Sequence, residues 1–96
     1  MVVGVIEAQV RIDGAHSLKD KRRVLRSLID RLRRKFGVSA AETDDQNRWT
    51  TATVGAACVS GNRVEAERLV QAVEEEISQH PEARVEQVTW EILTFP

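Results

Sequence analysis

The groups in this chain best able to do chemistry are cationic and crowded. Lys19, Lys21, Arg22, Arg23, Arg26, Arg31, Arg33, Arg34 and Lys35 lie in one short stretch whose acids are Asp20 and Asp30. At helical spacing, Lys19, Arg22, Arg23, Arg26, Arg33 and Arg34 fill one broad arc, with like charges four residues apart at Lys19/Arg23 and Arg22/Arg26. Each such pair costs a few tenths of a kcal/mol, so the repulsion calls for compensation. Phosphate on a nucleic acid supplies it from outside; an acidic second helix supplies it from inside. The spacing is compatible with both. A smaller anion site is conceivable where His16, Lys19, Lys21 and Arg22 surround the free N–H groups at the start of the helix.

Catalysis is weakly represented. No nucleophile has a neighbouring base, no glycine-rich phosphate loop is present, and no pair of carboxylates has an acid/base spacing. An enzyme acting on a small phosphorylated substrate near His16 and Lys21 therefore ranks behind a binding role. His16, His80 and Cys58 share no ligand spacing, so neither a metal nor a cofactor is expected. Cys58 is the one cysteine and lies in an apolar run, which points to a buried thiol in a reducing, cytoplasmic setting. The apolar start is interrupted by Glu7 and has no basic flank, so it reads as a strand rather than a leader or a membrane span.

The elements that must position these groups follow from periodicity. Ile6, Ala8, Val10 and Ile12 alternate with Glu7, Gln9 and Arg11, giving a half-buried strand over residues 2–12. Ser17 is a helix N-cap with Asp20 three residues on. Leu18, Leu25, Leu28, Ile29, Leu32 and Phe36 then draw one apolar stripe, with Lys21 at its edge, and Gly37 is the stop. Residues 38–43 and 49–60 form a hairpin around the polar cluster Asp44-Asp45-Gln46-Asn47. Asn62 caps a second helix, Pro81 ends it, and residues 84–95 alternate again, with Val88, Trp90 and Ile92 on one side.

This order specifies an α+β fold in one domain spanning residues 1–96. It is a ferredoxin-like βαββαβ plait, a four-stranded antiparallel sheet of order 4-1-3-2 with both helices on one face. The run from His16 to Leu25, His-Ser-Leu-Lys-Asp-Lys-Arg-Arg-Val-Leu, resembles the YlxP-like family of small bacterial proteins. So do residues 39–42, Trp49 and the strand over residues 55–60. The resemblance covers nearly the whole chain. It implies the same ferredoxin-like fold and genes beside those for translation initiation and ribosome maturation factors, and it brings no catalytic residue.

The sheet face turned away from the helices tests the nucleic-acid reading. Plaits that read single-stranded RNA stack bases on aromatics of the central strands. Here those positions hold Val, Glu, Gln, Arg, Thr, Gly and Ala, and Trp49 alone stands at a strand end. RNA contact is thus expected through phosphate, along the first helix, with structured RNA or a ribosomal subunit as partner. The same open face carries Val3, Val5, Ala57, Val59 and Leu93, an apolar patch suited to homo-oligomer contacts. Charge is strongly divided: residues 1–35 hold ten Lys/Arg against four Asp/Glu, and residues 36–96 hold four against eleven.

Overall fold

Alternation along the first strand sends Val2, Ile6, Ala8, Val10 and then Ile12 to one side, and these residues form the spine of the core. The computed structural model describes residues 1–96. Its elements are β1 (Val2–Arg11), α1 (Leu18–Phe36), β2 (Ser39–Asp44), β3 (Thr51–Ser60), α2 (Arg63–Ser78) and β4 (Arg84–Thr94). The sheet order is β2-β3-β1-β4 with every neighbouring pair antiparallel, the expected plait read from its other edge. Ala52, Val54, Ala56 and Cys58 of β3 join the β1 residues on the covered side. Val24, Leu25, Leu28 and Leu32 of α1 and Ala66, Val70, Val73 and Ile77 of α2 close over them.

Local signals set the ends of both helices. Ser17 Oγ accepts from Asp20 N at 3.1 Å, and the Asp20 carboxylate accepts from His16 N at 3.0 Å, closing a reciprocal cap one residue wider than the usual box. Gly37 adopts the left-handed conformation at φ 66° and donates to Arg33 O, which ends α1. Asn62 Oδ1 accepts from Glu65 N at 2.8 Å to start α2. At Gly4 the approach of α2 to the sheet is so close that a Cβ would lie 2.8 Å from Val70 Cγ2 and 3.1 Å from Cys58 Sγ.

Two details depart from the alternation pattern. A bulge opposite Gln9 and Val10 shifts β4 so that Val85 and Val88 both pack toward the core, a change of phase that simple period-two reading does not contain. Trp90 shares the phase of Ile92 yet remains 42% exposed, because β4 is an edge strand. In addition, β3 begins at Thr51, which leaves Trp49 on the hairpin loop rather than at a strand end.

The two sheet edges differ. β2 is short and bulged between Glu42 and Asp44, and Arg33 Nη2 donates to its Ala40 carbonyl at 2.6 Å. At the far edge Met1 and Phe95 exchange both backbone bonds. By alternation, the N–H and C=O groups of Val88, Trp90, Ile92 and Thr94 then point outward along β4.

Candidate nucleic-acid interface

Helix α1 buries Val24, Leu25, Leu28 and Leu32 and turns its opposite side to water. The amphipathic spacing thus fixes which cations face outward. Lys19, Arg22, Arg23, Arg26, Arg33 and Arg34 are all exposed, and His16 is exposed just before the helix. Their partners divide them. Arg23 forms two hydrogen bonds to the Glu82 carboxylate, at 3.0 and 3.5 Å. The hydrogen bond and charge of Arg23 hold the Glu82 carboxyl below the usual carboxylate range, and Glu82 raises Arg23 in return. Arg33 spends one nitrogen on Ala40 O and lies 3.9 Å from Asp30. Arg34 Nε donates to the Asp30 carbonyl. Lys19, Arg22 and Arg26 make neither an ion pair nor a side-chain hydrogen bond, so they form the uncompensated part of the arc.

Lys21 is a correction to the expected anion site. It lies three residues from Leu18, four from Leu25 and seven from Leu28, which places it on the stripe itself, and it is 0% exposed. Its ammonium donates to Asp45 O at 2.6 Å and to Thr51 O at 3.1 Å. It also lies 2.9 Å from Glu42 Oε2, an ion-pair contact whose angles fall outside hydrogen-bond geometry. A phosphate cannot reach it. The small anion site expected at the start of α1 loses Lys21 to the interior, and an acid stands beside His16 instead: the Asp20 carboxylate accepts from His16 N, while Asp20 N is taken by Ser17 Oγ.

The acidic second helix compensates other cations. Glu76 is buried and accepts from Lys35 at 2.7 Å and from Arg31, and these two hydrogen bonds, Lys35 first, hold its carboxyl below the ordinary value. The Glu74-Glu75-Glu76 run therefore divides: Glu75 faces water and Glu76 joins the helices. Nothing in the run itself distinguishes the three; their phase relative to Val73 and Ile77 does.

The open sheet face has two halves. Around Val5, Ala41, Gly55 and Ala57 it forms a shallow trough of about 520 Å³ bordered by Glu7 and Glu91. Thr43 crosses Gly55 to donate to Glu7 Oε2 at 2.8 Å, and a Cβ on Gly55 would lie 2.8 Å from the Thr43 methyl. Toward the start of β1 the face becomes apolar and exposed. The predicted Val3, Val59 and Leu93 are joined there by Met1 and Phe95, which continue the same odd register and were not among the expected patch residues.

A separate cleft of about 540 Å³ lies where the β1–α1 and α2–β4 connections meet. Its cations are already matched: Arg23 with Glu82, Arg84 with Asp13, and Arg11 with Glu86 just beyond the rim. No group of three or more His, Cys, Asp or Glu side chains gathers as a metal site, and no helix is long and apolar enough to cross a membrane.

Comparison with known proteins agrees with this architecture. Residues 3–90 match the family described as "Protein of unknown function (DUF503)". "Uncharacterized protein YlxP" of Bacillus subtilis (strain 168) is 38% identical over 81 residues, spanning 84% of this chain and 88% of that protein. A de novo designed protein with a ferredoxin fold, solved by solution NMR, superposes with a TM-score of 0.52 at 14% identity, covering 99% of this chain and 88% of its own, a likeness of fold alone. Matched through nearly all of its length by the family pattern and by the Bacillus protein, the chain belongs to the YlxP-like DUF503 family.

Proposed function

We propose that this protein is a non-enzymatic RNA-associated accessory factor that takes the phosphates of structured RNA, such as that of a ribosomal subunit, along the exposed face of α1. The observation that carries the reading is the set Lys19, Arg22 and Arg26, exposed cations with neither an acid nor a hydrogen-bond partner on a helix where Arg23, Arg31, Arg33 and Lys35 meet acids and Arg34 donates to its own backbone. At 1.5 Å of rise per residue they span roughly 10 Å of helix axis, a reach suited to neighbouring phosphates. Gene neighbourhoods rich in translation factors, implied by the family resemblance, support the same partner class. The test is charge reversal. Lys19→Glu, Arg22→Glu and Arg26→Glu together are expected to weaken binding to a structured RNA at least tenfold and to flatten its dependence on salt by roughly two to three counterions. Binding by the triple variant that equals the parent at every salt concentration rejects the reading.

The apolar end of the open face favours a second, compatible reading, self-association. Met1, Val59, Leu93 and Phe95 are 59%, 70%, 45% and 64% exposed, and together with Val3, Val5 and Ala57 they form a continuous surface suited to a second copy. Light scattering on the purified protein is expected to give more than one chain per particle. A strict monomer at roughly tens of micromolar rejects this reading.

A further inference from the structure

The hairpin loop between β2 and β3 is held against α1 in an unusual way. Asp45 takes a positive φ of 63°, and its carbonyl accepts from Arg48 N, which closes a tight turn. The same carbonyl accepts from Lys21, and so does the Thr51 carbonyl at the other end of the loop, so a single buried ammonium fastens both ends. Thr50 O accepts from Ile12 N at 2.8 Å and ties the loop to the end of β1 as well. Between these fixed points Gln46, Asn47, Arg48 and Trp49 are exposed. Trp49 is 55% exposed, so its indole is presented to solvent on an anchored support.

We infer that Trp49 is a stacking platform for an unpaired base, and that with the exposed cations of α1, the helix to which Lys21 fastens its loop, it makes a surface for RNA in which a helix gives way to a single strand. The inference rests on the RNA reading above and adds a preference that phosphate contacts alone lack. Charge assigns the division of labour. The loop carries Asp44 and Asp45 against Arg48, so it attracts no phosphate on balance, and its two acids are turned onto the loop itself: Asp44 Oδ1 accepts from Asp45 N, and Asp45 takes Thr53 Oγ1 and Arg48. An indole face is indifferent to that charge and stacks on any base. Phosphates instead meet the exposed cations of α1, the helix whose Lys21 fastens the loop. Support for the indole is built in, since fixed loop ends reduce the ordering cost of stacking.

The experiment compares an RNA hairpin bearing a single-stranded extension with a blunt duplex of the same stem. In the Trp90→Phe background Trp49 is the remaining tryptophan, and the extended hairpin is expected to quench its fluorescence while the blunt duplex leaves it unchanged. Trp49→Ala in the otherwise native chain is expected to lower affinity for the extended hairpin about tenfold, measured by anisotropy of labelled RNA, to leave the blunt duplex unaffected, and to preserve the melting temperature. Trp49→Phe retains most of the hairpin affinity. Salt-sensitive binding of both RNAs without quenching and without a Trp49→Ala effect overturns this inference and leaves the RNA reading standing, as does an equal loss for hairpin and duplex. Absence of binding to either RNA at low salt overturns both.

Discussion

Lys21 carries more of this architecture than its position in a basic run suggests. A fully buried ammonium is tolerated only when its charge and its protons are satisfied, and here two carbonyls and the Glu42 carboxylate do so. Lys21→Met leaves the half-shielded Glu42 without its cation and unfastens the hairpin loop. The expected cost is about 3 kcal/mol of stability in urea unfolding. Glu76 gives a pH signature. Its carboxyl is lowered from 4.5 by Lys35 and then Arg31, so its contribution is present above the ordinary carboxylate range and is lost as pH falls through the folded-state value. Glu76→Gln is expected to cost about 1 kcal/mol at neutral pH, discounted for the solvent around Arg31 and Lys35, and the gap from the parent should close on acidification. At this scale the sequence was partly legible. The spacing of Lys21 from Leu18, Leu25 and Leu28 marks it as inward-facing, but its oxygen partners, Glu42, Asp45 and Thr51, come from the hairpin more than twenty residues away, which no local pattern names.

Element boundaries were far more readable, because the devices that set them are local. Ser17, Gly37 and Asn62 act where their side chains or backbone freedom put them, and the stripes of α1 and the phase of β1 follow directly from apolar spacing. What escaped was phase shifted by tertiary pairing: the bulge that turns both Val85 and Val88 inward, and the late start of β3 that frees Trp49. Charge pairing escaped for the same reason. Arg31 and Lys35 lie in the basic run but outside the arc, and although an acidic second helix was expected to compensate some cations, only the packing of α2 brings Glu76 beside these two. The contact of α2 with the sheet is itself testable. A methyl group at position 4 meets Val70 and Cys58, so Gly4→Ala is expected to destabilise by about 1–3 kcal/mol, and Val70→Ala in the same chain should recover part of the loss. Calorimetric melting of the two single variants and the double variant measures it.

On the scale of the whole molecule the two surfaces of interest lie on opposite sides, the cationic arc on the outer side of the helix layer and the apolar patch on the bare sheet. Copies joined through their sheets would therefore present their α1 helices outward, and on the proposed RNA reading one RNA spanning two of them would be held more tightly than by either alone. Val59→Glu, remote from every cation of the arc, is expected to reduce both particle size and apparent affinity for a long structured RNA while leaving affinity for a short stem unchanged; paired light-scattering and anisotropy measurements check this. The contrast between the two sheet edges adds a rule of stoichiometry. Arg33 stands over β2, whose shortness and bulge already spoil it as a template, whereas the backbone of β4 is bare from Val88 to Thr94. Lateral growth has a single berth. Two copies meeting there would use up each other's one unguarded margin, so assembly by that route would terminate at a pair instead of running on into a fibre.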